Sequence, residues 1–218
     1  MVGFAMVAAL VNLLVGAGVS FKNFDKNVFQ LVAQAVSYIM ALLVVIGVPY
    51  VFFKDKITLA LLGLKNKIKW TFPLVALAGF GVYYMISIFF MFVAVLIYPD
   101  FDIGAKQDVG FESLSNTMDY VVAFVALVIA APLAEEVIFR GFLFGTLKKT
   151  YRFWIAAILT SLMFGFAHGA WNVGIDTFAL SLVLCYLRYN YDSLYPAIFL
   201  HMIKNGFAYV MLFIVKPF

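Results

Sequence analysis

The chain has 218 residues, 66% of them hydrophobic and 12% charged, with a net charge of +4 and a mean hydropathy of +1.04. A soluble domain carries about twice that charged fraction. The basic residues cluster between apolar runs, as membrane topology requires, so the positive charge gives no indication of nucleic-acid binding. The single cysteine, Cys185, excludes an internal disulfide and a cysteine-rich metal site, and beside Leu184, Tyr186 and Leu187 it reads as inert packing. Runs of about 20 apolar residues fit the hydrocarbon thickness as helices, which satisfy their own backbone hydrogen bonds in lipid. A β-barrel would show short alternating segments instead.

The first apolar run, 2–20, lacks a basic leader and opens directly on Met1-Val2-Gly3-Phe4, which favours a retained helix over a cleaved signal. A second span follows at 28–53. Residues 54–69 then hold Lys54, Lys56, Lys65, Lys67 and Lys69 against Asp55 alone. Within them, Ile57–Ile68 has leucines at 59, 61, 62 and 64, a pattern equally suited to a short interfacial helix and to an ordinary basic loop. The third span is expected at 71–98, and 99–119 is acidic, with Asp100, Asp102, Asp108, Glu112 and Asp119 against Lys106. Further spans are expected at 119–147, 153–171, 174–190 and 193–214, with the basic turn Lys148, Lys149 and Arg152 between the first two of these. The run 174–190 is short and compatible with a re-entrant or tilted piece.

The positive-inside bias places 54–69 and 148–152 in the cytoplasm and 99–119 outside, with the N-terminus in and the C-terminus out. The expected fold is thus all-α, a polytopic transmembrane helix bundle of about seven spans, or eight with a re-entrant or interfacial helix. It forms a single transmembrane domain over 1–218, in contact with membrane lipid and assigned by default to a prokaryotic plasma membrane. No internal repeat of the transporter kind is present.

Nine of the acidic residues fall in expected loops or span ends: Asp25, Asp55, Asp100, Asp102, Asp108, Glu112, Asp119, Asp176 and Asp192. Only Glu135 and Glu136 lie deep in a span, where a charge costs on the order of 3 kcal/mol and so marks function. In Pro132-Leu133-Ala134-Glu135-Glu136-Val137-Ile138-Phe139-Arg140, Glu136 and Arg140 are one helical turn apart and can pair. Glu135 points about 100° away and gains no such partner from its own helix. Pro132, without an N–H, is expected to kink the helix just before the pair.

Both histidines also fall within spans. Phe164 and His168 share one helix face, as do His201 and Asn205. Lys204, beside them, snorkels or faces a cavity and receives no functional assignment. Gly165, Gly169 and Gly206 allow close helix packing, and Trp171 suits an interfacial anchor.

A glutamate with histidines in a lipid-shielded cavity suits hydrolysis, because a carboxylate or imidazole can deprotonate water while amide donors stabilise an oxyanion. No G-x-S-x-G elbow and no H-E-x-x-H helix is present, which argues against an acyl-enzyme and against a zincin. A non-enzymatic membrane scaffold and a proton-coupled carrier remain as alternatives, the latter disfavoured by the lack of repeats.

The three segments resemble the CPBP family of CAAX proteases and bacteriocin-processing enzymes, also called the Abi family and related to the type II CAAX prenyl endopeptidase. The family motifs E-E-x-x-x-R, F-x-x-x-H and H-x-x-x-N stand here as Glu135-Glu136-Val-Ile-Phe-Arg140, Phe164-Gly-Phe-Ala-His168 and His201-Met-Ile-Lys-Asn205. The resemblance covers about 119–210, which would be the catalytic core. It implies a glutamate-type intramembrane endopeptidase acting on a hydrophobic or lipidated peptide. Glu135 and His168 would activate water, His201 and Asn205 would hold that water or donate to the oxyanion, and Arg140 with Glu136 would support the site. The resemblance implies metal-free chemistry with no cofactor; an older reading of such families makes Glu135, His168 and His201 zinc ligands with a position left for water.

Overall fold

The computed structural model describes residues 26–53, 57–105, 111 and 114–215, and every regular element among them is a helix. We number these α1 (Lys26–Phe53), α2 (Phe72–Ile97), α3 (Thr117–Thr150), α4 (Phe153–Ala167), α5 (Trp171–Tyr191) and α6 (Tyr195–Val215). They occupy the places of six expected spans, while the first, 2–20, lies outside the described residues. By length and apolarity alone, α2, α3 and α6 can cross a membrane, and Phe29–Val45 of α1 and all of α4 form shorter apolar helices. α2 buries little of itself within the protein: its Leu77, Met85, Ile88, Phe92 and Leu96 all stand exposed. Such a face requires lipid as its solvent, since a soluble surface does not carry apolar patches of this extent. The chain is an integral, multi-pass membrane protein.

The chain falls into two compact units. One comprises Met1–Asp55, Asp108–Ala134 and Asn205–Phe218; the other comprises Lys56–Gln107 and Glu135–Lys204. In the first, Asn116 opens α3 with a capping box, its side chain accepting from the Asp119 N–H at 3.1 Å while the Asp119 carboxylate accepts from the Asn116 N–H at 3.3 Å. Phe111, Val122, Ala126, Val128 and Tyr209 form its core, and the Tyr209 hydroxyl donates to the Tyr120 carbonyl at 2.9 Å.

In the second unit α5 is the interior helix, packed between α2 and α4. The short span expected at 174–190 proves to be a continuous helix of 21 residues starting at Trp171. Its apolar signal was weak because it faces protein rather than lipid and buries Thr177, Ser181 and Arg188. The α4–α5 approach is close enough that a Cβ on Gly165 would stand 2.7 Å from the Gly174 carbonyl oxygen. Gly165→Ala is therefore expected to push the helices apart at a cost of about 1–3 kcal/mol, read as a lower unfolding midpoint in detergent. An unchanged midpoint would mean the approach is looser than this.

The interfacial-helix reading of Ile57–Ile68 is corrected: these residues form turns, and Leu62 is buried against Gly141 rather than facing lipid. A polar strap holds the loop, with Arg188 Nη2 donating to the Leu61 carbonyl at 3.1 Å and the Leu194 N–H donating to the Gly63 carbonyl at 2.8 Å. Gly63 has φ +74°, and a Cβ there would lie 2.5 Å from Arg188 Nε. Lys65, Lys67 and Lys69 are exposed.

Candidate active site

Pro132 sits beside a change of helix type. Val125–Ala130 and Val137–Leu143 are π-type turns flanking the α-helical Ala131–Glu136, and the Ala131 N–H reaches back five residues to the Ala126 carbonyl. Wide turns of this kind recur at functional sites. In such a turn the acceptor five residues before Pro132 is the Leu127 carbonyl, and proline has no N–H to give it. The Asn205 amide supplies the donor, with Nδ2 at 2.9 Å from Leu127 O.

The other five expected site residues, Glu135, Glu136, Arg140, His168 and His201, belong to the second unit. Glu136 and Arg140 are fully buried, and Arg140 Nη1 donates to Glu136 Oε1 at 2.8 Å, the expected ion pair. The same oxygen accepts from His201 Nδ1 at 2.8 Å. Since a carboxylate oxygen accepts, Nδ1 carries the hydrogen, and the other ring nitrogen, Nε2, is turned toward Glu135 Oε2 at 3.7 Å. Glu135 keeps 18% of its side chain exposed where Glu136 keeps none. One glutamate is sealed in a charge network and its neighbour opens onto accessible space.

His168 follows the last residue of α4, which stops because Gly169 takes φ +81°, open to a residue without a Cβ. Its Nδ1 donates to the Phe164 carbonyl at 2.8 Å, which fixes the ring. His168 lies within electrostatic reach of Glu135, His201 and Lys204. The buried Phe164 ring joins the parts. Arg140 Cζ sits 4.1 Å above its centroid, and His168 and His201 meet it edge-on at 4.7 and 5.8 Å. Its motif spacing revealed the helix face it shares with His168 but not this contact with both other segments. Cys185 is a fully buried thiol, as expected of packing, and lies against Arg140 and Ser181.

The sequence reading misplaced Asp176. Because α5 begins at Trp171, three residues before the expected start, Asp176 lies inside a helix rather than at a span end. Its Oδ1 accepts from the Tyr83 hydroxyl at 2.7 Å and the Ser87 hydroxyl at 2.6 Å, and its Oδ2 is 3.6 Å from Lys204 Nζ. The available signal was the pair Tyr83 and Ser87, two hydroxyls four residues apart in an apolar span, together with a lysine in need of a counter-charge.

As a donor set, two imidazoles and a carboxylate suit zinc, and both Nδ1 atoms have the supporting partners that metal-bound histidines need. Among the described residues, however, no three His, Cys, Asp or Glu side chains gather closely enough to hold a metal.

Residues 117–207, which contain all three motifs, match the model of a family described as Type II CAAX prenyl endopeptidase Rce1-like. A Bacillus subtilis (strain 168) protein named "Putative membrane peptidase YdiL" is 28% identical over 141 residues, 62% of this chain and 54% of that protein. An Escherichia coli protein named "Uncharacterized 24.3 kDa protein" is 29% identical over 89 residues, 38% of this chain and 41% of that protein. The chain spans about half the length of the curated relatives it matches. No solved structure matches it.

Proposed function

We propose, for a membrane chain whose residues 117–207 form a Rce1-like segment of the CPBP type, that it is an intramembrane endopeptidase. It hydrolyses a peptide bond in a hydrophobic or lipid-anchored peptide, using Glu135 and His168 to activate water and His201 to hold that water and donate to the oxyanion. The observation that carries this reading is the 3.7 Å separation of Glu135 Oε2 and His201 Nε2, while His201 Nδ1 is already bonded to Glu136. That separation exceeds a hydrogen bond and suits a bridging water.

In this mechanism Glu135 takes a proton from the water as its oxygen attacks the scissile carbonyl carbon. His168, with its Nδ1 hydrogen given to the Phe164 carbonyl, presents Nε2 to the same water. His201, held through Nδ1 by Glu136, offers an Nε2 hydrogen to the tetrahedral oxyanion. The C–N bond then breaks and Glu135 returns its proton to the leaving amine. Arg140 fixes the Glu136 carboxylate, which accepts from His201 Nδ1 and so sets the angle of the His201 ring.

The test uses the purified protein in proteoliposomes with a fluorogenic, membrane-tethered peptide. Cleavage by the wild-type protein supports the reading, and no cleavage of any tethered peptide would sink it. The mechanism needs no metal, so the rate is expected to survive a strong chelator. A loss restored by added zinc would instead make Glu135, His168 and His201 ligands.

A further inference from the structure

One end of the second compact unit carries charge that water activation does not use. The loop 57–70, the turn between α3 and α4 and the C-terminal end of α5 meet there. Lys148 Nζ lies 4.7 Å over the Tyr189 ring of α5, and Phe153 at the start of α4 meets the same ring at 4.8 Å. Phe72, at the start of α2, meets Tyr191 at 5.8 Å. The loop is tied to the same place: Asn66 Nδ2 donates to the Asp192 carbonyl at 2.9 Å, and Leu61 and Leu62 lie against Gly145 and Gly141 of α3. These contacts gather Lys65, Lys67, Lys69, Lys148, Lys149 and Arg152, all exposed, around the end of α5. The one carboxylate in these three segments, Asp192, is taken by Arg188 at 3.1 Å. The six cations therefore face outward with no counter-charge from the segments that carry them.

We infer that this collar is a binding site for the headgroups of anionic phospholipids, which bridge the loop and the α3–α4 turn. The inference is independent of the endopeptidase reading. Topology asks only for basic residues between spans and sets no shape for them. Here the loop that bears half the cations is strapped down by Arg188, Leu194 and Asn66, so the charges are presented on a fixed surface. Exposed Trp70, Tyr151 and Trp154 stand among them, where the exposed apolar faces of α2 and α4 begin. Such aromatic residues lie at headgroup depth, which sets the cations level with lipid phosphates. Ammonium and guanidinium groups donate to phosphate oxygens in short, charge-assisted bonds, and a cluster of this size beside a span suits acidic lipid. A zwitterionic headgroup brings its own ammonium and offers the collar no net charge. Nucleic acid would answer to the same charge, but the aromatic rim favours a bilayer. Gly141 directly follows Arg140, so a lipid that pins the loop also steadies the turn carrying the buried ion pair.

The test places the full chain in phosphatidylcholine vesicles and reads tryptophan quenching by lipids brominated near the headgroup end of their chains. Trp171→Phe leaves Trp70 and Trp154 as the reporters. At low salt, brominated phosphatidylglycerol is expected to occupy the site about tenfold more readily than brominated phosphatidylcholine. That preference should fall toward unity in about 1 M salt, where screening reaches within ~3 Å. The triple variants K65Q/K67Q/K69Q and K148Q/K149Q/R152Q are each expected to lower the preference about threefold. K65R/K67R/K69R, which keeps the charge, is expected to retain it. Equal quenching by the two lipids in the parent overturns the site, as does a preference that salt leaves unmoved; both are read without any change to the collar. A preference that both glutamine variants keep in full overturns it too. A parent that ignores phosphatidylglycerol yet retains a labelled oligonucleotide on the vesicles would overturn the lipid reading and make the collar a nucleic-acid surface.

Discussion

Glu135→Gln is expected to lower kcat for peptide cleavage by about 10²–10⁴-fold, the usual contribution of a positioned general base. KM and the unfolding midpoint should barely move. Glutamine keeps the shape of glutamate and can still hydrogen-bond a water, but it cannot accept and return a proton. The stability of the site does not depend on the lost charge, because the ion pair at its base runs through Glu136 and Arg140. Single-turnover cleavage in proteoliposomes, set beside thermal unfolding of the same preparation, separates the two effects. A fall in activity that tracks a fall in midpoint would make Glu135 a folding residue, and undiminished cleavage would remove it from the chemistry.

The second large effect belongs to Arg140. Arg140→Met takes the arginine from a Glu136 with none of its side chain exposed and leaves it only the His201 ring, a situation worth about 3–5 kcal/mol of lost stability. It also takes the cation from the face of Phe164. Replacing both partners, Glu136→Leu with Arg140→Met, is expected to recover most of that stability, since an apolar pair needs no desolvation. Activity should not return with it, because His201 Nδ1 would have lost the oxygen that orients its ring. Denaturant titration and cleavage rates measured on both variants test this. A double variant that regained activity would show that Glu136 is not needed to hold His201.

Features governed by helical period were readable from sequence. Glu136 with Arg140, and Phe164 with His168, are four residues apart on one helix, so their contact follows from local geometry. The helical runs from 28–53 onward were visible from their apolarity, most plainly in α2, which is apolar nearly all round. What escaped the reading depends on partners distant in sequence. Nothing local to His201 says that its ring meets Glu136, 65 positions earlier. Asp176 was misread because α5 is an interior helix whose polar side chains blur its ends. The π-type turns around Glu135 and Glu136 were hidden because the apolar run continues through them without a break in composition. The leucines of 57–68 suited an interfacial helix and an ordinary loop equally, and the contacts that decide for the loop come from Arg188 and Leu194, far along the chain.

The bond from Asn205 to the carbonyl that Pro132 cannot serve bears on how the three motifs should be used as a diagnostic. On the proposed mechanism, the motif letters serve two separable purposes. Glu135, His168 and His201 serve the chemistry, whereas the Glu136–Arg140 pair and the Asn205 bond to Leu127 also hold together the helices that carry them. A descendant that abandoned catalysis would be released from the first set and still held to the second. Its sequence would score well against a motif search while lacking a reactive carboxylate. In such a lineage the residue at position 135 is a sharper mark of a working enzyme than the count of matched motif letters.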